Sequence, residues 1–107
     1  MEFTNTVSER IWNDRYRKND ETLEDNLMRV AKYCSTNDNE QIEFFNIMDN
    51  GYFYPAGRTM SNAGIGTQLT LNNCYCLNFV EDSIEDIFEK VKIGSLTQKS
   101  GGKICHP

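Results

Sequence analysis

Cys74 and Cys76 stand two residues apart in a stretch that alternates like a β-strand, Asn73-Cys74-Tyr75-Cys76-Leu77. Thiols in that arrangement can pack, hold a soft metal or exchange electrons as a dithiol. On a strand both would face one side with their Cα atoms roughly 6.6 Å apart. That is close to the upper limit for a disulfide, so a bond between these two would need the strand to bend. Adding Cys105 and the single histidine, His106, gives four possible metal ligands. The Cys-x-Cys spacing and an adjacent Cys-His pair suit a tetrahedral site poorly, and no metal is expected. Cys34 falls on the apolar face of a predicted helix and is expected in the core. His106, in a tail without pattern, is expected at the surface. Two small buried hydrophobes are the ordinary reading of an isolated cysteine pair. A redox role therefore needs support from the rest of the chain.

Two glycine motifs offer none by themselves. Asn62-Ala63-Gly64-Ile65-Gly66 lacks the third glycine and the preceding strand of a dinucleotide fingerprint, and Ser100-Gly101-Gly102-Lys103 lacks the earlier glycine and following hydroxyl of a phosphate loop. The acidic pair Glu81-Asp82 is explained by helix capping and the helix dipole.

The elements that must position the cysteines follow from periodicity. A first helix is predicted from about Ser8 to Lys18, placing Ile11, Trp12, Arg15 and Tyr16 close together. Thr22, with Asp25 in the reciprocal position, caps a second, whose Leu23, Leu27, Val30, Ala31 and Cys34 share a face. Asp38, with Gln41 three residues on, starts a third that carries Ile42, Phe45 and Met48 and ends at Gly51. Residues 51–80 then hold a single charge, Arg58, among Gly, Ser, Thr, Asn and aromatics. That composition suits a loop packed against protein or closing on a ligand through backbone N–H groups. A strand is expected near 71–79. Asp82, with Glu85, caps a last helix with an Ile84, Ile87, Phe88 and Val91 stripe running to about Gln98.

A chain of 107 residues is at most one small domain, with little surface to spare for a deep, enclosed active site. The net charge of −5 is uneven: residues 1–50 carry eleven Asp/Glu against six Lys/Arg, and residues 51–107 five against five. There is no basic stripe for a nucleic-acid backbone. No apolar run reaches the ~18 residues of a membrane span, and Met1-Glu2-Phe3-Thr4-Asn5 does not open like a signal peptide. The expectation is a soluble, cytoplasmic protein with reduced thiols and with neither nucleic acid nor membrane as partner.

An ordered series of motifs adds a sharper reading. Pro55-Ala56-Gly57-Arg58-Thr59-Met60-Ser61-Asn62-Ala63-Gly64, Asn73-Cys74-Tyr75, Val80-Glu81-Asp82-Ser83-Ile84 and Gln98-Lys99-Ser100-Gly101-Gly102 follow one another along the chain, behind Trp12-Asn13-Asp14-Arg15-Tyr16 and Arg29-Val30-Ala31. Over about residues 8–102 this series resembles the N-terminal part of the catalytic chain of class II, adenosylcobalamin-dependent ribonucleotide reductases.

The resemblance implies an α/β fold. A helical lead-in (1–54) is followed by the first strand and helix of a ten-stranded α/β barrel (55–102), incomplete in this chain, and by a tail (103–107) unlike the family. It implies that Cys74 is the strand thiol which, with a cysteine much later in the chain, reduces the 2′ position of a ribonucleotide and becomes a disulfide. Because the stretch from Cys74 to Glu81 is one residue longer than the family's usual pattern, Cys76 is the alternative assignment. By the same match Thr59, Asn73, Gly101 and Gly102 contact substrate, and Asp82 and Ser83 lie at the allosteric nucleotide site. Ribonucleotide substrate, effector nucleotide, the C-terminal portion of the reductase and adenosylcobalamin are the partners of the complete enzyme. No cofactor is expected for this chain alone, which is expected to be inactive alone. The competing readings are a small stand-alone protein-binding module, a remnant without catalysis and, third, a zinc module.

Overall fold

The structure, a computed structural model, describes residues 1–105; His106 lies outside the described residues. It divides into two compact units, residues 1–67 and 68–107.

The first unit is helical: α1 (Thr6–Arg15), α2 (Leu23–Cys34), α3 (Asp38–Asp49) and a short α4 (Gly57–Asn62). Its buried apolar residues are Trp12, Leu27, Val30, Ala31, Met48 and Ala63. Leu27, Val30 and Ala31 recur at i, i+3 and i+4, so α2 turns one stripe into the core while Glu24, Asp25 and Lys32 stay in water. Phe3 packs on Trp12 with ring centroids 5.5 Å apart. The capping box forms as the sequence predicts: Thr22 Oγ1 accepts from the Asp25 N–H at 3.1 Å, and the Thr22 N–H donates to the Asp25 carboxylate at 3.0 Å. The Thr22 N–H and hydroxyl, both donating to the Asp25 carboxylate, hold its carboxyl below the ordinary pKa. Thr22→Ala should lower the stability of this unit by about 1 kcal/mol, read as a shift in the urea midpoint without a change in slope.

Four expectations need correction. The third helix is capped by Asn37 rather than Asp38: Asn37 Oδ1 accepts from the Glu40 N–H at 2.9 Å, and Glu40 reaches back to the Thr36 N–H and hydroxyl, both at 2.7 Å. Either side chain can cap, and this register leaves Asp38 in the first turn, where the helix dipole favours a carboxylate. Cys34 is exposed rather than core, because it is the last residue of α2 and sits on the rim of an open apolar cavity of about 430 Å³. Ile42, expected on the inner face of α3, is 58% exposed, whereas Met48 is buried. The window read as a loop also contains α4, a helix without a side-chain cap.

The second unit is a β-α-β arrangement: β1 (Cys74–Cys76), α5 (Ile84–Lys99) and β2 (Lys103–Cys105). The two strands are parallel, pairing Cys74 with Lys103, Tyr75 with Ile104 and Cys76 with Cys105. The regular strand is thus much shorter than 71–79. Residues 103–105, read as a patternless tail, form its partner, because the turn at Ser100-Gly101-Gly102 returns the chain alongside β1. Gly101 adopts φ +89, a left-handed conformation that glycine accepts without steric cost, and its N–H donates to the Gln98 carbonyl at 2.9 Å. The cap of α5 is Ser83, not Asp82: its hydroxyl accepts from the Asp86 N–H at 3.1 Å, while the Asp86 carboxylate accepts from the Glu81 N–H at 2.8 Å. The Ile84, Ile87, Phe88 and Val91 stripe exists, but all four residues are exposed among the described residues. No helix in the described residues is long and apolar enough to cross a membrane.

Candidate thiol site on a parallel strand pair

Alternation along the two strands sorts their side chains. Tyr75 and Ile104 take one face. Ile104 Cγ1 and Leu77 Cδ1 each lie 3.9 Å from where a Cβ on Gly94 of α5 would stand, so this is the face that α5 covers. Cys74, Cys76, Lys103 and Cys105 take the other face, where Cys74 and Cys76 are exposed and Cys105 is half-buried. All three cysteines are free thiols.

The covered face fixes the open one. The Tyr75 hydroxyl is hydrogen-bonded to Thr70 Oγ1, and the Thr70 N–H donates to the Ser100 carbonyl at 2.9 Å. The Tyr75 ring lies directly over Gly102, whose N–H donates to the Thr97 carbonyl at 3.0 Å. The Lys103 N–H donates to the Asn73 carbonyl at 2.9 Å and sets the register. Anchored on both sides, Tyr75 holds its two cysteine neighbours toward solvent. Interaction with Cys74, then partial desolvation and the nearby Cys76, push the Cys105 thiol above its ordinary pKa; Lys103 opposes the rise.

Of the residues singled out by sequence, Cys74, Asn73, Gly101 and Gly102 belong to this one strand-and-turn unit. Asn73 contributes its carbonyl to the ladder, and the space above Gly102 is filled by Tyr75. Asp82 is exposed and Ser83 is a helix cap at the start of α5. Thr59 belongs to α4 of the helical unit and is half-buried there. Among the described residues no group of three or more Cys, His, Asp or Glu could hold a metal ion.

Sequence reasoning missed Tyr75 as the anchor and Cys105 as a strand residue. The signal for both was present: Lys103-Ile104-Cys105 repeats, after a glycine turn, the polar-apolar alternation of Cys74-Tyr75-Cys76. It also missed the pair Glu21–Arg29 in the helical unit, 2.8 Å apart with both side chains largely buried. Arg29 donates through Nη2 to the Met60 carbonyl at 3.1 Å and through Nη1 to the Ala63 carbonyl. It thereby ties the end of α4 to α2. Nothing in the local sequence marks a pair eight residues apart whose second role is across the fold.

The profile of the family described as "Ribonucleotide reductase, all-alpha domain" matches residues 2–68, more than half of the chain and nearly coincident with the helical unit. The chain belongs to the ribonucleotide reductase family. The ribonucleoside-diphosphate reductase large subunit of Monkeypox virus is 37% identical over 79 residues, 73% of this chain and 10% of its own length. The large chain from Schizosaccharomyces pombe is 35% identical over the same shares. The Plasmodium falciparum large subunit is 34% identical, again over 73% of this chain and 10% of its own. The chain thus matches the N-terminal region of reductase large subunits and spans about a tenth of the length of these curated relatives.

Proposed function

We propose that this chain supplies the N-terminal part of a ribonucleotide reductase large chain and that Cys74 is its substrate-reducing strand thiol. In the balanced reaction two thiols become a disulfide, and the ribonucleotide loses its 2′-hydroxyl as water and gains hydrogen at that carbon. Cys74 would supply one thiol and the remainder of a complete chain the second, together with the radical. The observation that carries this reading is the placement of Cys74 on the open face of a parallel strand pair, next to a glycine turn, in a chain of this family. Two three-residue strands do not make a stable sheet, and parallel strands are ordinarily covered on both faces. That supports β1-α5-β2 as the opening unit of the larger α/β barrel, with further strands at its edges and the exposed stripe of α5 covered by the rest of that protein.

Within the same reading, Thr59, Asn73, Gly101 and Gly102 contact the ribonucleotide, and Asp82 and Ser83, at the start of α5, form part of an effector-nucleotide site. Adenosylcobalamin, the radical source of the class that the motifs resemble, would be bound by the remainder of a complete chain. The cavity of about 430 Å³ in the helical unit, walled by Val30, Ala31, Phe44, Ile47, Met48 and their apolar neighbours, offers no polar side chain for the amides of a corrin.

The chain alone, given ribonucleotide, a dithiol and adenosylcobalamin, should form no deoxyribonucleotide; turnover by it alone would overturn the proposal. With the rest of a large chain supplied in trans, Cys74→Ser should abolish product formation while Cys76→Ser preserves it. The reverse pattern would move the role to Cys76.

A further inference from the structure

The proposed reduction uses Cys74 and leaves Cys76 and Cys105 without a task, although the strand ladder sets them directly opposite each other on the open face. Neighbouring strands lie about 4.8 Å apart. A disulfide spans Cα separations of about 4.4–6.8 Å, so the register alone brings this pair within bonding range. Cys74 is offset from Cys105 by two residues, roughly 6.6 Å along the strand, which puts their Cα atoms about 8 Å apart. That exceeds the roughly 7 Å beyond which the backbone must move. Strand alternation puts the Cys105 thiol on the side of the sheet where β1 presents its thiols, opposite the exposed Cys76.

We propose that Cys76 and Cys105 form a second, cross-strand dithiol–disulfide pair, which exchanges electrons with small-molecule disulfides. The exposed Cys76 thiolate attacks one sulfur of a low-molecular-weight disulfide and expels one thiolate. The Cys105 thiolate then attacks Cys76 Sγ, forms the cross-strand bond and expels the second. Two protein thiols are oxidised, the small disulfide is reduced to two thiols, and the two protons go to those thiols or to solvent. Lys103, on the same face, partly offsets the rise in the Cys105 pKa that its cysteine neighbours cause. The pair is independent of any role of Cys74 in substrate reduction.

The test is peptide mapping of the full chain after incubation with oxidised glutathione at low protein concentration, with free thiols blocked by N-ethylmaleimide before trypsin. Cys74 and Cys76 fall in the peptide 59–90, Cys105 in 104–107 and Cys34 in 33–58. The expected product is a link between 59–90 and 104–107, which disappears on reduction. It should persist in Cys74→Ser and vanish in Cys76→Ser and Cys105→Ser. Fragmentation of the wild-type linked peptide locates the bond at Cys76 or Cys74 without any substitution, so a variant that fails to fold does not block the answer. A bond at Cys74, a link to Cys34 in its place, bonds between chains only, or no link at all would each overturn the proposal.

Discussion

Replacing Arg29 with alanine should cost the helical unit about 3–5 kcal/mol at neutral pH, the range for removing one partner of a buried ion pair. The side chains of Arg29 and Glu21 are only 16% and 11% exposed, and the guanidinium meets both carboxylate oxygens, at 2.8 and 3.0 Å. Alanine would leave that carboxylate in place with the Asn26 amide, at 2.9 Å, and the Lys18 N–H, at 3.1 Å, as its remaining donors. It would also strip the Met60 and Ala63 carbonyls of a charged donor. Against a typical domain stability of about 5–15 kcal/mol this is a large fraction. The pH dependence gives a second signature. Burial pushes the Glu21 carboxyl up, but hydrogen bonds from Arg29 and Asn26 and the charge of Arg29 outweigh it, so its folded-state pKa lies below the ordinary carboxylate value. Its contribution is therefore fully present above that ordinary value and is lost as pH falls through the lower, folded-state one. Arg29→Ala removes the largest of the effects that lower the Glu21 pKa, so the variant has less stability to lose on protonation of Glu21 and the deficit should narrow on acidification. Urea unfolding of both proteins across the acid range measures this. A deficit below about 0.5 kcal/mol, the size of an ordinary surface substitution, would mean that the pair does not hold α4 to α2.

Gly102→Ala should destabilise the strand unit by about 1–3 kcal/mol through overpacking. A Cβ at this position would stand 2.7 and 2.8 Å from Tyr75 Cε2 and Cδ2 and 2.9 Å from Thr97 Cγ2. The ring cannot simply swing away, because its hydroxyl is bonded to Thr70 and its backbone is held in the ladder. The two shortest contacts are with the Tyr75 ring, and a double-mutant cycle isolates their share: in a Tyr75→Leu background Gly102→Ala should cost less than in the wild type, the contact with Thr97 remaining. Equal costs in the two backgrounds would place the strain elsewhere. Thiol-labelling rates at Cys74 and Cys76 should also change in the single variant, since these residues flank the displaced ring.

The helical unit was largely legible in the sequence because its signals are local. The Thr22–Asp25 box, the Leu27, Val30 and Ala31 spacing and the terminal glycine at Gly51 each act within a turn or two of the chain. At Asn37-Asp38 and Asp82-Ser83 the expected cap is the aspartate and the observed cap is its neighbour, because residue type does not separate adjacent capping residues. The thiol site was legible in part. Cys74 and Cys76 were recognisable as a same-face pair, and the motif series pointed to the family that the helical unit then matched. What escaped was non-local: the pairing of β1 with residues 103–105, the seat of Tyr75 on Gly102, and an ion pair whose worth lies in two distant carbonyls. Such contacts depend on where the chain returns, and residue periodicity carries no record of that.

The ring of Tyr75 lodged over Gly102 has a consequence for how the chain can vary. A strand slipped by a single position exchanges its two faces, turning Cys74 and Cys76 inward against α5 and the tyrosine out to water. In strands of only three residues, few ladder bonds oppose such a slip. A bulky ring that fits only above a residue without a Cβ acts as an indexing pin, accepting one alignment and rejecting its neighbours. Which way the cysteines point is thus decided on the side of the sheet that bears none of them.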